Sequence, residues 1–332
     1  MQGKKIISAA VFVAGIFFIT SGAALSAQGA GKQTISGKYV LYYGNSTADP
    51  VDTVTMLNSY YDAFNSIFHF NDQGPGFLYI VRICDTIQEF TAYLIEKTGK
   101  TPEQGGSTFL KYNRPEKSEV IFITGTPQAD IARHLFVQYL YSYVKEPPAW
   151  LLGGFSLYAE NFSWSKEHGF SPASKINPWL SQAKKLLASK ETALSPQQIM
   201  NALKNDYPAS ALYPQAWLLI SYFEATSHPI LKRLLPECVA ELRLRGNGTY
   251  TSADEKQNIE IFTSYIGKWS SWEALNEDFA RYAAGLHTPS EILRSGMDSY
   301  SQSRYSDAAT AFTEVLELEP ANNTAAYYLG LI

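Results

Sequence analysis

The chain has 332 residues, enough for two modest domains and a sizeable core. Hydrophobic residues make up 45% and charged residues 17%, so most of it is expected to fold. The net charge of −4 is dispersed, and no basic stripe exists to track a phosphate backbone, which argues against a nucleic-acid partner.

Lys4 and Lys5 precede an apolar run from Ile6 to about Ala24, and small residues end at Leu25-Ser26-Ala27. Residues 1–27 therefore read as a signal peptide, and the protein as exported to a periplasmic or other extracytoplasmic compartment. The run is long for a signal peptide, so an uncleaved single-span anchor stays open, and no later segment is expected to span a bilayer. Two cysteines follow, Cys84 and Cys238, without the spacing of a zinc or redox motif; their pairing is open. Residues 28–36, polar and containing Gly and Ser, read as a linker.

Lys38–Tyr43 reads as a strand, and apolar residues at helical spacing from Asp52 to Phe68 predict a helix with one buried face. Asn71–Gly76 is a turn and Phe77–Ile83 a second strand. Asp85 is positioned to cap a helix that Gly99 ends, and Val120–Ile123 reads as a third strand. Thr126-Pro127 combines a hydroxyl cap with Pro at the first helical position and starts a helix to about Val144, which Pro147-Pro148 stops. Beyond Glu160 the strand signal fades. Ser195-Pro196-Gln197-Gln198 resembles a capping box, and Pro214–Ala225, Pro229–Leu244 and Ser271–Ala284 read as helices, the second kinked or split at Pro236. Gly246–Ser252 is a polar loop.

From Pro289 onward, Gly296, Tyr305, Ala308, Phe312 and Pro320 fall in a register that restarts after 34 residues, Leu329-Gly330 repeating Ser295-Gly296. The pattern resembles the tetratricopeptide repeat, in which small residues let two helices pack closely. One repeat and part of a second do not make a stable solenoid. The stretch is expected to pack on the preceding helices unless the array continues beyond this chain.

The segment Ile131–Glu160, IARHLFVQYLYSYVKEPPAWLLGGFSLYAE, resembles the active-site region of the gluzincin metallopeptidases, specifically the peptidase MA-like group. In that group a helix carries H-E-x-x-H, two His on one face binding zinc and the Glu activating water, and a Pro-x-Trp-x-x-Glu-Gly stretch supplies the third ligand. His134 matches the first His, and Pro148, Trp150 and Gly154 match the Pro, Trp and Gly. Leu135 stands at the general-base position, Gln138 at the second ligand and Gly153 at the third. Leu accepts no proton, Gln is a poor zinc ligand and Gly has no side chain, so neither zinc nor another cofactor is expected. Of the nearby Asp130, Glu146, Glu160 and His168, only Asp130 shares a helix face with His134. His134 otherwise reads as a satisfied histidine bonded to Asp130 or Gln138 one turn away.

The resemblance implies an α+β fold: a zincin-like mixed sheet with helices, then an all-α part ending in a repeat hairpin. The expected division is a peptidase-like part over 37–170, a helical subdomain over 171–285 and the repeat over 286–332. The expected function is that of a pseudoenzyme. It binds a peptide or protein partner through the former cleft, the repeat or both, with Trp150, Phe155 and Tyr158 lining the cleft. The same aromatics equally suit core packing. The alternative is an active exported metallopeptidase with a relocated metal.

Overall fold

The computed structural model describes residues 32–332 except 46–48, 71–73, 103–104, 172–178, 243–251 and 269–270. The leader, the Asn71–Gly76 turn in part and the 246–251 loop lie outside the described residues. The order is β1 (Lys32–Ser36), β2 (Tyr39–Tyr43), α1 (Pro50–Phe68), β3 (Tyr79–Cys84), α2 (Ile87–Thr98), β4 (Ser107–Leu110) and β5 (Glu119–Ile123). These strands form one mixed sheet, β1-β2-β3-β5-β4, with parallel β2, β3 and β5 inside and antiparallel β1 and β4 at the edges.

The period-2 alternation of the strands sorts their side chains between two layers. Tyr79, Val81, Ile83, Val120 and Phe122 face the main core, whereas Cys84 and Ile121 meet Phe90 and Leu94 of α2. The main core also takes α3 (Gln128–Tyr143) and α4 (Ala149–Ala159). A short hairpin, β6 (Ser163–Ser165) and β7 (Gly169–Ser171), follows. The remainder is helical among the described residues: α5 (Leu180–Leu187), α6 (Pro196–Asn201), α7 (Ala209–Ala225), α8 (Leu234–Glu241), α9 (Ser252–Ile266), α10 (Trp272–Gly285), α11 (Pro289–Ser301), α12 (Tyr305–Leu318) and α13 (Asn323–Leu331). The chain is α+β, with a helical C-terminal part, and no described helix is long and apolar enough to cross a membrane.

Several local readings are corrected. Residues 32–36, read as linker, pair with β2 through a tight turn at Gly37, whose φ is 59°. Asn58 holds that turn, accepting from the Lys38 N–H at 2.9 Å and donating to the Ser36 carbonyl. The cap of α2 is Thr86 rather than Asp85, whose carboxylate accepts from the Asn45 N–H instead; Gly99 ends α2 as read. Thr126 does not cap α3: its hydroxyl donates back to the Ile123 carbonyl at 2.8 Å, and the helix begins after Pro127. Pro236 sits in the first turn of α8, where its missing N–H costs nothing. The Ser195 capping box forms with both its bonds.

Helix α7 starts five residues before Pro214, leaving the proline internal. Proline has no N–H to give to the carbonyl four residues back. That carbonyl, on Ser210, accepts from Gln182 of α5 at 3.1 Å.

Candidate functional site

His134 projects from α3 toward the edge strand β4. It is half-buried, and its ring hydrogen-bonds the main chain of Ser107 rather than Asp130 or Gln138. That bond favours the protonated ring, so its acceptor is the Ser107 carbonyl. Burial outweighs it: desolvation, helped by the charge of Arg133, lowers the imidazole pKa to about 4. His134 is therefore neutral at pH 7.

One turn on, Gln138 is fully buried, its amide N–H groups reaching the Ile80 carbonyl at 2.9 Å and the Ser118 carbonyl at 3.4 Å. Its side-chain oxygen has no partner among the described residues. Leu135 lies in the main core. At Gly153 a Cβ would come within 2.1 Å of the Tyr213 ring, and at Gly154 within 2.7 Å of the Ala216 main chain. The glycine pair thus seats α4 against α7 and widens no cleft.

The three positions that the resemblance assigns to zinc therefore offer a single imidazole, one amide turned to main-chain carbonyls, and no side chain. This set does not fit a zinc ion. Glu160 is engaged by the Trp179 indole N–H at 2.8 Å and by Arg133 at 3.4 Å, and Glu146 pairs with Lys111 at 3.4 Å. Among the described residues, no three His, Cys, Asp or Glu side chains are grouped to hold a metal. Cys84 and Cys238 are both free and buried.

The aromatics read as cleft lining are mostly core. Trp150 is 0% exposed and packs edge-on to Phe262 at 5.0 Å. Phe155, also 0% exposed, lies 4.8 Å from Phe68 and 4.6 Å from Phe136. Tyr158 is half-buried against Phe155 and Phe162, and burial pushes its hydroxyl pKa up to about 12. These three fill space that a substrate would need, because the apolar face of α4 is covered by α1, α3, α7 and α9.

A concavity of about 100 Å³ does open between β4, α3, α4 and α7. Val137 and Tyr141 line it from α3, Phe109 from β4, Leu152 from α4 and Tyr213 from α7. Its rim is charge-balanced: the Lys111 ammonium lies over the Tyr141 ring at 4.2 Å while pairing with Glu146, and Glu255 accepts from the Lys204 N–H at 2.8 Å.

The adjoining strand edge is defined by the ladder. The Ile123 N–H donates to the Gly106 carbonyl, so residues 106, 108 and 110 bond to β5. In an antiparallel pair the residues between them turn their main-chain groups outward. Ser107 and Phe109 are those residues; His134 takes the Ser107 carbonyl, and the N–H and C=O of Phe109 point away from the sheet beside the concavity. Sequence reasoning missed this site, although Val137 and Tyr141 fall three and seven residues after His134, on one helix face. No family model matches the chain, and no curated protein matches it.

Proposed function

We propose that this chain is an exported, non-catalytic peptidase-like protein that binds an extended segment of a protein or peptide partner along the outer edge of β4. The Phe109 main-chain groups would give that segment its first hydrogen bonds, and one apolar side chain would enter the socket floored by Val137, Leu152 and Tyr213. The observation that carries the reading is this outward pair at Phe109 next to a side-chain-sized socket with a charge-balanced rim. The donor set at His134, Gln138 and Gly153 supports binding without zinc or hydrolysis. The helices from Pro289 onward resemble a tetratricopeptide repeat and offer a second contact surface, on which Tyr305 is 49% and Tyr327 64% exposed.

The test is selection from a display library of short unstructured peptides against the purified chain. Selected peptides are expected to share one apolar anchor, and Val137→Asp, which places a carboxylate in the socket, is expected to abolish their binding while circular dichroism shows the fold retained. Failure to select any peptide, or equal binding by the variant, refutes the reading. Cleavage of the peptides by the purified chain with zinc added refutes its non-catalytic part.

A further inference from the structure

The C-terminal helices have a core of their own. Ile292 of α11, Ala308, Phe312 and Val315 of α12 and Ala325 of α13 pack together and share no residue with the main core. The contact is tight, since a Cβ at Gly296 would come within 2.8 Å of the Phe312 ring. Between this unit and the body run only Leu286, His287 and Thr288, the last being the cap of α11.

Lys184 of α5 straddles that joint. Its ammonium donates to the carbonyl of Leu286, the C-cap of α10, at 2.7 Å, and to the carboxylate of Glu291, in the first turn of α11, at 2.8 Å. A cation at a helix C-terminus and a carboxylate at a helix N-terminus are each the sign the peptide dipoles favour. One side chain of the body therefore touches both sides of the joint with matched electrostatics. Glu291 also serves locally, accepting from the Thr288 N–H at 2.8 Å as half of a capping box.

We propose that the α11–α13 unit is an arm articulated at residues 286–288, and that Lys184 is the latch fixing its angle to the body. The latch holds a rigid arm and not a folding intermediate: the arm's core and its cap persist when Lys184 is removed. The inference does not depend on the peptide-binding reading.

The experiment is a spin-label distance measurement on the full chain, with labels at exposed Lys190→Cys on the body and Ser301→Cys on the arm. The buried Cys84 and Cys238 stay unlabelled. A narrow distance distribution is expected with the latch intact. Lys184→Met is expected to broaden it, and Glu291→Gln, which keeps the cap acceptor but removes the charge, to broaden it less. Arg304→Met, which breaks the Arg304–Asp307 pair within the arm, serves as the control and is expected to change nothing. Should Lys184→Met not fold, molar salt on the latched chain is expected to produce the broadening, because the pair is partly exposed and screened at that ionic strength. An unchanged distribution in the latch variants and in salt, or equal broadening by Arg304→Met, overturns the proposal.

Discussion

Acid should destabilise this protein through His134 before its carboxylates dominate. The imidazole has an ordinary pKa near 6.5 when the chain is unfolded, and burial lowers it to about 4 in the folded state. Between those values the unfolded chain takes up a proton that the folded chain refuses. Stability is therefore fully present above the unfolded value and declines as pH falls through the window from 6.5 to 4. Between pH 7 and 4.5 this linkage amounts to roughly 2 kcal/mol, taken as a ceiling because the ring is only half-buried. His134→Gln keeps an N–H for the Ser107 carbonyl but cannot titrate. Urea denaturation of both proteins at pH 7 and 4.5 isolates the contribution: the wild type should lose more than the variant, by at most about 2 kcal/mol. Equal losses, or an imidazole that titrates near 6.5 by NMR in the folded protein, would refute the burial argument.

The glycine pair offers a second test. Gly153→Ala should cost about 1–2 kcal/mol, because the half-buried Tyr213 ring can swing aside; added to Tyr213→Ala, it should cost nothing further or gain a few tenths. Gly154→Ala meets main chain at Ala216 and should cost about 2–3 kcal/mol without such rescue, as chemical denaturation would read. Asn58→Ala should cost about 1 kcal/mol by freeing the Lys38 N–H, with the loss of order in the β1–β2 turn visible in amide exchange. Finally, the triple change Leu135→Glu, Gln138→His and Gly153→Glu should not create a stoichiometric zinc site by metal analysis, since the Tyr213 ring occupies the space the new Glu requires.

Which parts of this structure could be read in advance follows from where each contact lies along the chain. The apolar runs of β2, β3 and β5 announce themselves because central strands are buried on both faces. The edge strands β1 and β4 do not: KQTIS and STFL carry few apolar residues, and their pairing is set by main-chain bonds to partners that sequence does not reveal. Capping by Ser195 is local and legible. Capping by Thr86 over Asp85 turns on a bond from Asn45, forty residues away in sequence. The candidate site divides likewise. That His134, Gln138 and Gly153 make a poor zinc set, and that Leu135 accepts no proton, needs only residue types. What those positions contact instead, main-chain carbonyls beside β3 and β5 for Gln138 and the Tyr213 ring for Gly153, is fixed by tertiary packing. The reading of Trp150 and Phe155 as cleft lining failed for the same reason, since an aromatic beside two glycines faces a groove or a neighbouring helix with equal sequence support.

Pro214 gives α7 something that an uninterrupted helix lacks. A regular helix offers its neighbours only side chains, so adjacent helices can exchange one set of ridges and grooves for another. The carbonyl that Pro214 leaves on Ser210 is a fixed point on the backbone itself, and Gln182 of α5 answers it. The proline thus serves as an address: α5 can dock at one axial position and no other without abandoning that acceptor. Pro214→Ala would close the ordinary helical bond and erase the address, leaving α5 seated only by the burial of Leu180 and Ala183 in the main core.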